Sequence, residues 1–326
     1  MALTSRGLSY IWGALDGEMA VKIALVSLGI GITLIFAVEL LLRLIFGFGN
    51  PLIYLPDPEI GYRLAPSQRL RRFGNLIEIN QYSMRGPEVA PQPAPGSMRV
   101  LLLGDSVANG GWWTDGEEII SALMAKKLST SDAAVEVLNA SANSWGPRNQ
   151  LAFVRRFGTF GARTLVLLLN TDDLFAGPPS SLVVGRSRFY PARKPVGAIA
   201  EVLSRYLFPP PEEPSLPKET GDIVGYNLEA IRQLQQLTRS ANSQFLLAIT
   251  PLQRETSPTG SRDYELRARE RLHQFTQQQQ IPYLDLLSAF QTHTAPATLY
   301  RDHIHLSSQG NQVVSEAICK ALQHLF

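Results

Sequence analysis

The chain has 326 residues, of which 45% are apolar, 18% are charged and 9% are aromatic. This apolar fraction is ordinary for a packed core and excludes wholesale disorder. With 30 basic and 28 acidic residues the net charge is +2, which is too balanced for a protein that binds nucleic acid by neutralising phosphates. Because Cys319 is the single cysteine, an internal disulfide and a cysteine-rich zinc site are also excluded.

An apolar run near the N-terminus, residues 23–42, carries one charge, Glu39. A helix of 20 residues spans ~30 Å, the thickness of the hydrocarbon core of a bilayer. Arg43 lies four residues after Glu39, at the spacing of an ion pair on one helix face. A core helix of this length in a soluble domain would need a polar face, which the run lacks.

A cleaved signal peptide fits this run less well than a membrane anchor does. The preceding segment is long, no small-x-small cleavage pattern follows the run, and the charges before it are mixed, namely Arg6, Asp16, Glu18 and Lys22. We therefore expect residues 1–48 to form an uncleaved single-pass anchor with its helix at about 23–42. Basic residues lie on both sides of the run, and we place the bulk of the chain outside the cytoplasm.

Residues 49–97 form a polar segment with little helical periodicity. Only Leu76–Asn80 alternates in the manner of a short strand. Prolines that break long elements recur along the segment, at Pro51, Pro56, Pro58, Pro66, Pro87, Pro91, Pro93 and Pro95. We expect a proline-rich connector that packs on the main domain.

From residue 98 onward, short apolar runs alternate with helical stretches. The predicted strands are Met98–Leu103, Ala134–Asn139, Arg163–Leu169, Gln244–Thr250 and Ile281–Leu286. The predicted helices are Glu117–Leu128, Pro147–Phe157, Asp222–Ser240, Arg262–Gln280 and Ser307–Leu325. Five short apolar strands between helices predict an α/β domain, residues 98–326, with a parallel sheet covered on both faces.

Polar residues gather where these strands end, which is where parallel sheets carry their functional groups. Ser106 follows the first strand, Gly146 the second and Asn170 the third, while Asp302 and His305 precede the last helix. A serine nucleophile needs an adjacent base, and the base needs a carboxylate that holds its tautomer. Ser106, His305 and Asp302 supply these groups. Donors at Gly146 and Asn170 would stabilise an oxyanion.

These blocks resemble, in residues and in order, the four blocks of the SGNH (GDSL-type) hydrolases. The resemblance implies a flavodoxin-like three-layer sandwich, with Ser106 as nucleophile, His305 as base and Asp302 as its orienting carboxylate. It further implies an oxyanion hole made by Ser106, Gly146 and Asn170. The third block departs from the usual Gly-x-Asn-Asp, since Leu168 and Leu169 precede Asn170.

The resemblance implies a membrane-anchored serine esterase that hydrolyses small acetyl-type esters of saccharides or lipids. It requires no cofactor and no metal, and its partners are a small ester and the membrane. Two alternatives use the same fold: an O-acyltransferase acting on cell-surface polysaccharide, and a catalytically silent binding module.

Several of these residues also have other interpretations. Gly104-Asp105-Ser106 is also typical of a tight turn with a helix cap. His303 is a rival base, and Asp302 with His303, His305 and the distant His293 offers metal-binding side chains. Trp145 would form an aromatic wall near the substrate. The proline-rich insertion 175–221 would serve as a lid with a basic face, or as a surface excursion.

Overall fold

A computed structural model describes residues 17–130, 134–208 and 219–325. Arg6 and Asp16 of the predicted anchor, and the insertion's residues 209–218, lie outside the described residues. Helix α1, Gly17–Leu41, continues into a wider helical turn at Leu42–Phe46. This 30-residue helix is long and apolar enough to cross a membrane, and its apolar stretch is not buried against the rest of the chain. Membrane anchors and signal sequences share both properties.

Helix α1 ends at Gly47 because the backbone turns into the left-handed region there, with φ 74°. A side chain at Gly47 would place its Cβ 2.0 Å from the carbonyl oxygen of Arg71, so only glycine fits the close approach. One turn earlier, the ion pair expected from the sequence is present, with Arg43 Nε 2.7 Å from Glu39 Oε1.

The connector contains four short strands rather than the single strand that we predicted. They form two antiparallel hairpins, whose members are β1 (Tyr54–Asp57), β2 (Gly61–Leu64), β3 (Gln68–Arg72) and β4 (Asn75–Ile79). The prediction failed because strands of four or five residues are too short for a clear period and derive their stability from cross-strand pairing. Ile60 and Ile77 are fully buried in the main core, so the connector packs on the sheet domain.

The central sheet has five parallel strands in the order β6-β5-β7-β8-β9. They are β5 (Met98–Gly104), β6 (Val135–Ser141), β7 (Thr164–Asn170), β8 (Gln244–Thr250) and β9 (Tyr283–Asp285). This confirms the predicted α/β fold with a five-stranded parallel sheet. The strands are apolar on both faces because helices cover both.

Eight helices follow α1 in the described part of the chain. They are α2 (Ser106–Asn109), α3 (Ile120–Leu128), α4 (Pro147–Phe157), α5 (Ala198–Val202), α6 (Ile223–Ser240), α7 (Asp263–Gln278), α8 (Leu287–Gln291) and α9 (Ser308–Gln323). Helices α4, α6 and α7 cover one face of the sheet, where Leu101 and Leu103 point, and α3, α8 and α9 cover the face of Val100 and Leu102. The long helices lie within three residues of their predicted bounds, whereas α2 and α8 are too short to show a period.

The insertion is tied to the end of helix α1. Glu39 accepts the N–H groups of Ala198 and Ile199, the first two residues of α5, at 2.7 and 2.9 Å. Helix α5 continues into a wider turn at Leu203–Leu207. Its buried Glu201 bonds Arg72 on β3, with Oε1 2.6 Å from Nη2. These contacts hold the insertion between helix α1 and the β3–β4 hairpin.

Candidate active site

Ser106 lies just past the end of strand β5, which pairs with β6 and β7 in the sheet. Asp105 caps the short helix α2 and accepts the N–H of Val107 at 2.8 Å, so the chain turns sharply at this point. Gly104 makes the turn possible, because a Cβ there would lie 2.5 Å from the Cβ of Ala108. The turn leaves the Ser106 side chain in the wall of a cavity, with 7% of the residue exposed.

His305 lies within hydrogen-bond distance of Ser106. Its Nε2 is 3.0 Å from Ser106 Oγ, and its Nδ1 is 2.8 Å from Asp302 Oδ2. The loop that carries both residues is closed by a hydrogen bond from the N–H of Arg301 to the carbonyl of His305, at 2.8 Å. The structure therefore brings together the three side chains that the sequence singled out.

The electrostatics of Asp302 suit an ionised carboxylate. Partial burial raises the pKa of Asp302. Hydrogen bonds from the backbone and ring of His305 and from the N–H of Ile304 lower the pKa by more than burial raises it. The pKa of Asp302 therefore lies below its usual range. An ionised Asp302 accepts the Nδ1 proton of His305. Nε2 is then left to accept the hydroxyl proton of Ser106.

His303, the rival base, points away from Ser106. Its ring is exposed, its Nδ1 lies 3.9 Å from Asp302 Oδ1, and it lines a different cavity. Within the ranges that the structure describes, no group of three or more acidic, cysteine or histidine side chains is arranged to hold a metal ion.

The donors predicted at Gly146 and Asn170 are bonded to other groups. The Gly146 N–H donates to Asn149 Oδ1 at 3.0 Å, at the start of α4. The Asn170 amide donates to Asp105 Oδ2 at 2.8 Å and to Asp173 Oδ2 at 3.2 Å. Neither Gly146 nor Asn170 lines the cavity at Ser106. The Asn170 amide nevertheless lies close to the nucleophile, because Asp105 Oδ2 is also 3.3 Å from Ser106 Oγ.

Asn170 instead bridges two buried carboxyl groups. Burial raises the pKa of Asp105, and burial together with the charge of Asp105 raises the pKa of Asp173 well above its usual range. Two carboxylates this close and this buried cannot both ionise without cost. The pair therefore keeps a proton to higher pH than a free carboxyl group does, and the Asn170 amide donates to both carboxyl groups.

The cavity beside Ser106 has a volume of about 660 Å³ and a largely aromatic lining that the sequence analysis did not identify. The ring of Trp113 lies 4.4 Å from the His305 ring, and Trp112 lies 5.8 Å from Trp113. Arg301 stacks over both indoles, at 5.2 and 5.3 Å. The signal that was missed is the Trp pair directly after Gly110-Gly111, one turn beyond the predicted nucleophile.

The expectation for Trp145 was wrong. Its side chain is buried, stacks against Phe153 at 5.7 Å and donates to the carbonyl of Tyr62 at 2.9 Å. Its neighbours Asn143 and Ser144 line the cavity instead, and the buried Oδ1 of Asn143 has no hydrogen-bond partner. Ser144 adopts a left-handed backbone conformation, with φ 58°. No pattern in the sequence predicts this conformation.

Comparison with known proteins shows the family of this chain. The model of the GDSL-like lipase/acylhydrolase family matches residues 102–313, which include Ser106 and His305. No curated protein matches the chain significantly. Similar solved structures include a lipase/acylhydrolase from Enterococcus faecalis (12% identity, 70% of this chain and 96% of that chain, TM-score 0.45) and an enzyme described as an alpha/beta hydrolase from the metagenome of Lake Arreo (13%, 70% and 96%, TM-score 0.48). An acetyl xylan esterase is similar at 14% identity, covering 69% of this chain and 100% of that chain, with a TM-score of 0.47.

Replacing Asn170 tests whether its amide is structural. Asn170→Ala removes the donor to two buried carboxyl groups, which should cost about 1–3 kcal/mol of unfolding free energy. We expect a lower midpoint of thermal unfolding together with lower esterase activity. A loss of activity with an unchanged midpoint would instead indicate a donor to the substrate.

The raised pKa of Asp173 predicts a pH-dependent effect of Asp173→Asn. A carboxyl whose pKa is raised in the folded state loses stability as pH rises from its unfolded pKa, about 4, to its folded pKa. Asparagine has no proton to lose, so the variant avoids this loss of stability. The unfolding midpoint of the variant should therefore rise relative to that of wild type between pH 4.5 and pH 8. A difference that is constant with pH would contradict the raised pKa.

Proposed function

Because the chain belongs to the GDSL-like lipase/acylhydrolase family and is therefore an ester-hydrolysing enzyme, we propose that Ser106, His305 and Asp302 carry out the hydrolysis. The observation that supports these roles is the 3.0 Å distance from Ser106 Oγ to His305 Nε2, with Asp302 bonded to the other ring nitrogen. The orientation of the imidazole by Asp302 suits a general base.

In the first half of the proposed reaction, the Ser106 hydroxyl attacks the ester carbonyl. His305 Nε2 takes the hydroxyl proton, and Asp302 stabilises the imidazolium that forms. The tetrahedral intermediate then collapses, the ester C–O bond breaks, and the proton passes from His305 to the departing alcohol. The products of this half are an acyl-Ser106 ester and a free alcohol.

In the second half, water attacks the acyl-enzyme. His305 removes a proton from the water, and the new tetrahedral intermediate expels Ser106, which regains its proton from His305. The products are a carboxylic acid and the free enzyme. In this proposal the backbone N–H of Ser106 donates to the oxyanion. The Gly146 N–H and the Asn170 amide are the further donors in this proposal, and each would exchange its present partner, Asn149 or Asp105, for the oxyanion.

We also propose that helix α1 is a single-pass anchor and that the catalytic domain, residues 98–326, works outside the cytoplasm on acyl esters of saccharides or lipids. The anchor is supported by the length of the apolar helix and by its lack of burial. Near its end Glu39 pairs with Arg43 and also accepts the N–H of Ala198 in the insertion, so the helix is joined directly to the folded domain.

The catalytic proposal is tested on the full chain in detergent, with p-nitrophenyl acetate as substrate. Ser106→Ala and His305→Ala should each lower kcat/KM by at least about 10³-fold. His303→Ala is the matched control, because this histidine is two residues away and outside the cavity, and it should retain activity. Equal rates for wild type and Ser106→Ala would refute the assignment.

The anchor proposal is tested by the mass of the mature chain. An uncleaved anchor leaves the full 36.0 kDa chain in the membrane after an alkaline carbonate wash. A shorter chain that starts after residue 42 and leaves with the wash would identify a signal sequence.

A further inference from the structure

A row of aromatic rings leads from the end of helix α1 to the catalytic histidine. We call Phe46, Phe73, Trp112 and Trp113 the aromatic track. The Phe46 and Phe73 rings are 5.8 Å apart, and Phe73 and Trp112 are 5.1 Å apart. Trp112 and Trp113 are 5.8 Å apart, and Trp113 lies 4.4 Å from His305. The track thus connects the membrane end of the proposed anchor with the reacting atoms.

The two middle rings of the aromatic track, Phe73 and Trp112, are exposed, although large aromatic side chains are usually buried in soluble proteins. Phe73 and Trp112 are 42% and 40% exposed, and the last turn of the anchor exposes Leu44 at 82%. Aromatic rings of this kind are favoured at the membrane–water interface, where one side is apolar and the other is wet. The exposed apolar surface is continuous with the apolar helix, which indicates that it faces the same membrane.

Phe73 occupies a position that does not suit its side chain. It is the first residue of the two-residue turn between β3 and β4, where Phe73 and Gly74 have φ of 49° and 88°. Asparagine followed by glycine is the favoured pair in such a turn, and a bulky residue in the left-handed region is strained. The local fold therefore does not explain a phenylalanine here, whereas a contact made by its ring would.

The rim of the cavity is positively charged. Arg188 and Arg301 line it, and neither has a carboxylate partner within ion-pair distance among the residues that the structure describes. Arg72 and Arg205 also line it and share the single carboxylate of Glu201. A cavity with an aromatic wall and unpaired guanidinium groups suits an apolar chain that ends in an anionic group.

We propose that this enzyme takes its substrate from the membrane: an acyl ester of an amphiphile with an anionic head group, whose chain enters along the aromatic track. The inference rests on the proposed function, because it needs both the anchor and Ser106. It narrows the substrate class from saccharides or lipids to amphiphiles that reside in the bilayer on which the enzyme sits.

The test uses the full chain in vesicles of phosphatidylcholine and phosphatidylglycerol. One substrate is a long-chain fluorogenic ester with a sulfonated head group, dissolved in the bilayer, and the other is p-nitrophenyl acetate. Phe73→Asn should raise the unfolding midpoint, because asparagine suits the turn, and should lower the ratio of bilayer to soluble activity about tenfold. If the ratio of bilayer to soluble activity falls in a variant that is more stable than wild type, misfolding is not the cause.

The matched control is Gln280→Asn. Gln280 is also exposed and left-handed, with φ 53°, but it lies after α7 and away from the cavity. The Gln280→Asn variant should keep both activities and the ratio between them. Trp112→Ser should lower the ratio as Phe73→Asn does, while Tyr264→Ser, at 41% exposure on α7, should not. An unchanged ratio in both track variants, or an equal fall of the two activities, would overturn the proposal.

The charge of the head group is tested separately. Wild type should hydrolyse the sulfonated ester faster than its uncharged analogue, and Arg188→Gln should reduce this preference. Equal wild-type rates on the two esters would overturn the inference that the substrate has an anionic head group. If wild type lacks Ser106-dependent activity even on p-nitrophenyl acetate, the proposed function itself fails. If that activity is present and the track variants have no effect, only the membrane route fails.

Discussion

The buried carboxylate of Glu201 joins three parts of the chain that are far apart in sequence. It accepts the N–H of Gly49, just after the apolar helix, at 2.7 Å, and it binds Arg72 of β3 and Arg205 of the insertion. A buried carboxylate that loses a partner costs about 3–5 kcal/mol. The helix end, the hairpin and the insertion are therefore held together as one unit. The wall of the cavity depends on this unit, because Phe73, Arg205 and Tyr206 all line it.

The carboxyl edge of the sheet holds carboxyl groups in two opposite states. Asp302 is partly open to solvent and surrounded by donors, so its pKa is lowered. Asp105 and Asp173 are closed off from solvent, so burial raises both pKa values, and the charge of Asp105 raises that of Asp173 further. Environment alone separates the two states. The ionised group is the one that can orient His305, while the inner pair maintains the turn that carries Ser106.

The sequence predicted the layers and the reacting side chains better than the walls of the site. Ser106 and His305 were predictable because strand ends of a parallel sheet converge, and the three-residue offset from Asp302 selected His305 over His303. The donor roles of Gly146 and Asn170 stay predictions, because in the folded chain both donors bond to other residues, namely Asn149, Asp105 and Asp173. Neither the hydrophobic periodicity nor any motif of the sequence predicts that other side chains accept hydrogen bonds from these donors.

The walls were missed for a related physical reason. Phe73 and Trp112 reach the cavity through a hairpin and a loop, and each is stabilised by contacts with distant segments rather than by a local pattern. The end of strand β5 positions Ser106, and the loop before α9 holds His305 within hydrogen-bond distance of it. The connector and the insertion, by contrast, decide which molecule reaches these atoms. Since both are attached to the end of the apolar helix, the shape of the opening at Ser106 depends on how that helix end is held.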